Sequence, residues 1–149
     1  MTTIAANRER MVADTRVSVS SSGFAYPAIK IVRANGMVFG ACGDGGDCSR
    51  FLEWGKKGFK EKDEPKWKAN GTEDSIIGLI LKDDGIYVWL YGNSEPEKVE
   101  ADFFAVGSGG KAARAAALMG ADIDQAVELA CQVDNLYSGL PLMSLSLRE

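Results

Sequence analysis

The sequence predicts an α+β domain in which antiparallel sheets are covered by helices on their outer faces. Short apolar runs bounded by turn residues recur along the chain and indicate strands. Three further segments carry helix caps or the helical spacing of apolar side chains. These elements follow in the order strands, helix, strands, two helices, strand. At 149 residues the chain has room for one domain, spanning 1–149, with a core of its own.

The first half is predicted to contain two hairpins and a helix. A polar turn at 7–10 separates two apolar runs, and Asn35-Gly36 is a strong signal for a two-residue turn between the next two. Asp47 follows a glycine-rich stretch and is expected to cap a helix whose apolar residues face the core. The predicted strands are 2–6, 11–17, 29–32 and 37–41, with a serine-rich loop at 18–23 and with Phe51, Leu52 and Trp54 on the buried side of the helix.

The second half is predicted to contain a hairpin, two helices and two more strands. Residues 60–75 are charged and are interrupted by Pro65 and Gly71, so an exposed connection is expected there. Asp122 is expected to cap the last helix. The predicted strands are 76–81, 86–91, 103–106 and 140–147, and the predicted helices are 111–119 and 123–130.

Composition excludes several classes of function. A net charge of −4 offers no basic face for nucleic acid, and no run of 18 apolar residues is present that could span a membrane. The charged N-terminal segment is unlike a signal peptide, so we expect a cytoplasmic protein. The chain has no histidine, which excludes a Ser-His-Asp triad and the usual catalytic zinc site. We expect no metal and no cofactor, and we interpret the three cysteines (Cys42, Cys48 and Cys131) as free thiols.

Without histidine, an N-terminal hydroxyl residue that uses its own α-amine as the base is one available solution for nucleophilic catalysis. Thr2 follows Met1, and a small second residue permits removal of the initiator methionine. A hairpin centred near Arg8 would place Asp14 directly opposite Thr2. Lys30, in the next predicted strand pair, could reach the same place and lower nearby pKa values by its positive charge.

Six short segments together suggest a family. They occur in the order Thr2-Thr3-Ile4, Ala13-Asp14-Thr15-Arg16, Lys30-Ile31-Val32, Gly43-Asp44-Gly45-Gly46-Asp47-Cys48, Ala105-Val106-Gly107-Ser108-Gly109-Gly110 and Tyr137-Ser138-Gly139. In this order and spacing the chain resembles threonine peptidases of the proteasome β-subunit type. It is especially similar to the short bacterial form that serves as the peptidase of a two-component ATP-dependent protease.

The resemblance implies the N-terminal nucleophile hydrolase fold, a four-layer αββα sandwich of two antiparallel sheets. It implies a homo-oligomeric ring that encloses the active sites, an AAA+ unfoldase as a possible partner, and peptide or protein substrates. It also implies the following roles: Thr2 as nucleophile, Asp14 and Lys30 as the groups that polarise it, the Gly43 N–H as oxyanion donor, and Ser108 with Asp134 and Ser138 as the shell that positions the amine. Asn135 competes with Asp134 for its place in this pattern, and Ala41 would line an apolar pocket for the residue before the cleaved bond.

Two other interpretations remain open at this point. The chain could be a catalytically inert structural or regulatory protein on the same fold, or an N-terminal nucleophile hydrolase of small amides. It also departs from the family, because residues 60–75 replace most of a long second helix with a short charged connection. The segment 107–110 could serve as a phosphate-binding turn, but it lacks the Gly-Lys-Ser/Thr ending of such loops.

Overall fold

A computed structural model describes residues 2–19, 22–68, 75–135 and 138–148. Within these ranges no helix is long and apolar enough to cross a membrane. The strands are β1 (Thr3–Asn7), β2 (Arg10–Ala13), β3 (Arg16–Val19), β4 (Phe24–Pro27), β5 (Ile31–Ala34), β6 (Met37–Gly43), β7 (Ile76–Lys82), β8 (Gly85–Leu90), β9 (Glu97–Val99), β10 (Phe103–Gly107) and β11 (Met143–Ser146). The helices are α1 (Gly45–Lys56), α2 (Gly110–Leu118) and α3 (Ile123–Val133).

The strands form two main antiparallel sheets and one small one. The first sheet has the order β10-β1-β2-β11, and the second has the order β5-β6-β7-β8-β9. Strands β3 and β4 form a separate two-stranded ribbon. The antiparallel sheets predicted from the sequence are therefore confirmed.

Successive side chains of a strand point to opposite faces of its sheet, so each main sheet packs against the other sheet on one face and against helices on the other. On β1, Ile4 and Ala6 face the second sheet, whereas Ala5 points to the opposite side and packs under α2 and α3. The second sheet is likewise covered on its outer face by α1, through Phe51 and Trp54. The result is four layers, with α2 and α3 outside one sheet and α1 outside the other.

The first hairpin differs from its predicted register by one residue. Ile4 pairs with Ala13, so Asp14 lies opposite Thr3 rather than Thr2, and its N–H donates to the Thr3 carbonyl at 3.1 Å. The cause lies in the turn. Asn7 Oδ1 accepts from the N–H groups of residues 9 and 10, both at 2.9 Å, which fixes a two-residue turn at 8–9 instead of a turn centred on residue 8.

The strand predicted at 11–17 is broken at residues 14–15. Here β2 leaves the first sheet, and β3 pairs instead with β4. A loop was predicted over 18–23, but β3 extends to Val19, and β4 was not predicted. Residues 20 and 21 of that loop lie outside the described residues. Strand β9 was not predicted either, since it is only three residues long and carries two charged side chains.

The helix α1 begins three residues earlier than expected. Its cap is Asp44, whose side chain accepts from the N–H of Asp47 at 3.0 Å, so Asp47 lies in the first turn. Asp47 is fully buried, and its Oδ1 accepts from the Lys68 N–H at 2.8 Å. By contrast, Asp122 caps α3 as predicted and forms a capping box with Gln125.

The connection after α1 is not a simple solvated loop. Residues 61–63 form one turn of 3₁₀ helix, and residues 64–68 run across the outer face of the second sheet. There the ring of Trp67 packs against Trp54 and Trp89, with centroid distances of 5.9 and 5.1 Å. Within the described part, this aromatic anchor stands where the resemblance implied a second helix. Gly71 lies outside the described residues.

Candidate active site

Thr2 lies immediately before β1 at the edge of the first sheet and is 6% exposed. Because Thr3 pairs with Gly107, Thr2 lies at the start of the turn between β10 and α2. In that turn, the exposed Ser108 hydroxyl accepts a hydrogen bond from the Thr2 nitrogen at 3.2 Å. The position of Thr2 is thus set by a sheet register and by a polar contact to a turn.

Behind Thr2 lies a buried ion pair. Lys30 Nζ, just before β5, is 2.9 and 3.0 Å from the two carboxylate oxygens of Asp14. Asp14 is fully buried and Lys30 is 8% exposed. The same ammonium donates to the Arg16 carbonyl at 2.6 Å. A buried carboxylate needs a cation and hydrogen-bond donors, and this one has both.

Three backbone N–H groups complete the environment of Asp14. Its Oδ1 accepts from Thr3 at 3.0 Å, and its Oδ2 accepts from Arg16 at 3.2 Å and from Gly139 at 3.0 Å. Asp14 therefore links the peptide after Thr2 to the segment that precedes β11. Because Lys30 and the Thr3 N–H share Oδ1, the ammonium is held close to the N-terminal peptide.

A chain of hydroxyl groups leads to a second carboxylate. Asp134 Oδ2 accepts from Ser108 at 2.5 Å and from Ser138 at 2.7 Å. Since the single proton of Ser138 is committed to Asp134, the Thr3 hydroxyl is the donor in its 2.8 Å contact with Ser138. The network therefore runs from the Thr2 nitrogen through Ser108 to Asp134, and from Thr3 through Ser138 to the same oxygen.

The structure gives Asp134 and Asn135, which the sequence left as alternatives beside Ser108 and Ser138, different contacts. The carboxylate of Asp134 joins the network, whereas Asn135 offers its backbone carbonyl to the guanidinium of Arg16. Arg16 also donates to the Ser138 carbonyl at 2.6 Å. Tyr137, which belongs to the same motif, lies outside the described residues.

The backbone N–H of Gly43 is directed away from the β6–β7 ladder. The Asp44 N–H donates to Ser75 O at 3.4 Å, which is the bond expected when Gly43 and Ile76 form a non-hydrogen-bonded pair. The Gly43 N–H then points to the opposite edge of β6, beyond the first residue of β5. Gly43 is exposed and has φ +129°, and a Cβ there would collide with Ser75 O. The fold requires glycine at this position.

The end of β6 lies close to the ion pair. Burial raises the pKa of the Cys42 thiol to about 11, and the Lys30 ammonium acts in the opposite direction. Burial also raises the pKa of Cys48 to about 12. Both thiols are therefore neutral near pH 7 and poor nucleophiles. Among the described residues, no group of three or more potential metal ligands is found.

Ala41 is placed on the outer side of the second sheet. It is 3% exposed and packs with Phe39, Phe51 and Trp89. Its role in a substrate pocket stays a prediction.

Thr3, Arg16 and Gly139 were not predicted as parts of the site. Thr3 is fully buried and contributes both its N–H and its hydroxyl. Gly139 contributes only a backbone N–H, which any residue but proline could supply. The available signal was that all three lie within the segments that carry the family resemblance.

Two antiparallel sheets between helical layers are the architecture of the N-terminal nucleophile hydrolase fold, and comparison with solved structures agrees. Eukaryotic HslV from Trypanosoma brucei matches with a TM-score of 0.69 and 20% identity, over 97% of this chain and 98% of that one. Thiobacillus denitrificans BPH in complex with epoxomicin matches with a TM-score of 0.67 and 16% identity, over 97% and 96%. The Anbu (Gly-1) mutant from Hyphomicrobium sp. strain MC1 matches with a TM-score of 0.62 and 14% identity, over 98% and 81%. No protein-family model and no curated protein sequence matches the chain.

Proposed function

We propose that the protein is a threonine-type peptidase whose nucleophile is the hydroxyl of Thr2, made N-terminal by removal of Met1. The observation that carries this proposal is the surroundings of Thr2. Its nitrogen lies 3.2 Å from Ser108 Oγ, and the Lys30–Asp14 ion pair lies behind the next peptide. The fold shared with N-terminal nucleophile hydrolases supports the same assignment.

In this mechanism the freed α-amine of Thr2 is the general base. An ordinary α-amine has a pKa of about 7.7–8.0, so a substantial fraction of such amines is neutral near neutral pH. The amine accepts the hydroxyl proton as Oγ attacks the peptide carbonyl, and it returns that proton to the departing amine when the C–N bond breaks. Water, activated by the same amine, then attacks the resulting ester, which restores the Thr2 hydroxyl and releases the acid.

The surrounding groups have separate tasks. The Lys30 ammonium stabilises negative charge that develops near the Thr2 hydroxyl, and Asp14 holds the ammonium in place. Ser108, polarised by Asp134, orients the amine through the 3.2 Å contact. The outward N–H of Gly43 is the donor for the oxyanion, a contribution worth about 2.7–4 kcal/mol of activation energy for one donor.

We extend the proposal to the biological setting that the resemblance implies. The protein acts in the cytoplasm as a ring of identical subunits, with an AAA+ unfoldase as possible partner, and cleaves peptides after apolar side chains. A ring of six or more 16.0 kDa subunits would elute at about 100 kDa or above, whereas a dimer would elute at about a third of that. Elution as a dimer combined with amide cleavage only on small substrates would favour the small-amide hydrolase instead.

The direct test of the nucleophile compares Thr2→Ser with Thr2→Ala. Both replacements are small enough to permit removal of Met1, and both leave the α-amine in place. With fluorogenic peptides that carry an apolar residue before the reporter, Thr2→Ser should keep measurable hydrolysis and Thr2→Ala should lose it. Unchanged hydrolysis by a folded Thr2→Ala variant would exclude the proposed nucleophile.

A further inference from the structure

A cavity on the outer face of the second sheet is not used by the proposed catalytic site. Its volume is about 190 Å³, and an enclosed space of about 150 Å³ is enough for a benzene-sized molecule. It adjoins a cluster of packed aromatic rings whose centroids lie 5.0–6.4 Å apart. Its walls are formed by Trp54, Phe59, Ile80 and Trp89.

The rim of this cavity is negatively charged. Glu61, Glu64 and Glu95 are exposed and line its mouth, and none of the described residues that line it is basic. Aromatic faces also carry negative electrostatic potential and attract a cation within about 6 Å of the ring centroid. The aromatic walls and the acidic rim of the cavity therefore both favour a positively charged ligand.

We propose that this cavity binds an organic monocation of the alkylammonium class. Its size suits an alkylated ammonium group better than a bare metal ion, because aromatic walls provide no oxygen ligands. A neutral aromatic ligand would gain no electrostatic attraction from the three carboxylates. The cation is either a small molecule or the side chain of a lysine presented by another protein, since the two share the same chemistry.

The three tryptophans of the chain all belong to this cluster, so intrinsic fluorescence reports directly on the cavity. We would titrate the full-length protein at constant ionic strength with choline, with its uncharged isostere 3,3-dimethylbutan-1-ol, and with N-acetyl-lysine methylamide. A saturable change with one or both cations, at least about tenfold tighter than any change with the alcohol, is the expected result. Tighter binding of choline would identify a small molecule as the source, and tighter binding of the lysine derivative would identify a protein side chain.

A charge-matched pair of variants separates the cavity from general electrostatic attraction. Glu61→Gln combined with Glu95→Gln removes two rim charges and should weaken cation binding by about fivefold or more. Glu97→Gln combined with Glu100→Gln removes the same charge from exposed positions that do not line the cavity and should leave binding unchanged. Equal binding of choline and the alcohol, equal effects of the two double variants, or the absence of any saturable change would overturn the proposal. None of these outcomes depends on whether Thr2 is catalytic.

Discussion

The ammonium of Lys30 lies 2.9 Å from Oδ1 of Asp14, in a site where Asp14 is fully buried. Burying two charges is costly, and such pairs often contribute little net stability compared with apolar replacements. The pair therefore needs another reason for its place behind the N-terminal peptide. In our account that reason is to hold a positive charge near the Thr2 hydroxyl.

Replacement of Lys30 should reduce both activity and stability. Lys30→Met keeps the aliphatic stem but leaves Asp14 without its cation, and breaking a buried pair costs about 3–5 kcal/mol in typical cases. The three N–H donors that remain on Asp14 place this variant at the lower end of that range. Urea unfolding and peptide hydrolysis measure the two effects. Lys57→Met, at an exposed position, is the control and should change neither.

Asp134 and its neighbour offer a second test. Asp134→Asn should lower peptide hydrolysis at least about tenfold, because the amide accepts less strongly from Ser108 and Ser138. Asn135→Ala removes a side chain while it keeps the carbonyl that accepts from Arg16, so hydrolysis should stay close to that of the unchanged protein. If the two variants lose activity equally, the polar network does not position the amine.

Gly43 should tolerate no side chain. In Gly43→Ala the new Cβ would collide with the Ser75 carbonyl, and φ of +129° adds backbone strain. We expect a loss of stability of about 1–3 kcal/mol, measurable as a lower melting temperature. Gly45→Ala is the matched control, because nothing lies within 4 Å of its Cβ position. Equal melting temperatures for the two variants would contradict the described path of β6.

The segment that follows α1 should depend on its aromatic anchor. Trp67→Ala removes contacts with Trp54 and Trp89, and full burial of such a residue would make its loss worth about 3–5 kcal/mol. Trp67 is only half-buried, so about 2 kcal/mol is expected. Limited proteolysis should then cut within 57–68 faster than in the unchanged protein. Trp67→Phe keeps a ring and should behave as an intermediate case, and equal cleavage of all three proteins would show that the anchor is dispensable.

The thiols of Cys42, which is buried, and of Cys48, which is half-buried, should react slowly in the folded protein. Alkylation requires the thiolate, and burial raises the pKa of Cys42 to about 11 and that of Cys48 to about 12. Their reaction with iodoacetamide should therefore increase about tenfold for each pH unit between pH 8 and 10. In denaturant, where the thiols have ordinary pKa values, the rate should level off near pH 9. A plateau at pH 9 in the folded protein would contradict these shifts, and mass mapping assigns the rates to each cysteine.

Much of the fold followed from local signals in the sequence. Asn35-Gly36 marked the turn between β5 and β6, and the capping residue Asp122 marked the start of α3. The structure differs from the predicted elements where contacts between residues distant in sequence determine the local backbone. Asp14 breaks its strand because its carboxylate is satisfied by groups distant in sequence, including the Gly139 N–H. Trp67, within a charged segment, packs against rings that the sequence does not show to be close.

The sequence indicated most of the side chains that the structure brings together around Thr2. It did not indicate which groups these side chains contact. The absence of histidine and the predicted first hairpin pointed to Thr2, Asp14 and Lys30, and the family resemblance implied the same residues. The sequence could not place Asp14 opposite Thr3, because a one-residue shift in a turn is invisible in composition and spacing. Nor could it choose between Asp134 and Asn135, which are adjacent in sequence but face different groups.

The proposed mechanism requires Thr2 to become a free and activated N-terminal nucleophile. Its most direct test is the intact mass of the purified protein before and after incubation with a peptide epoxyketone, a reagent that combines with both the hydroxyl and the amine of an N-terminal threonine. We expect a starting mass without Met1 and a single adduct, which Thr2→Ala does not form. A protein that retains Met1 and takes no adduct would exclude this mechanism and favour an inert protein on the same fold.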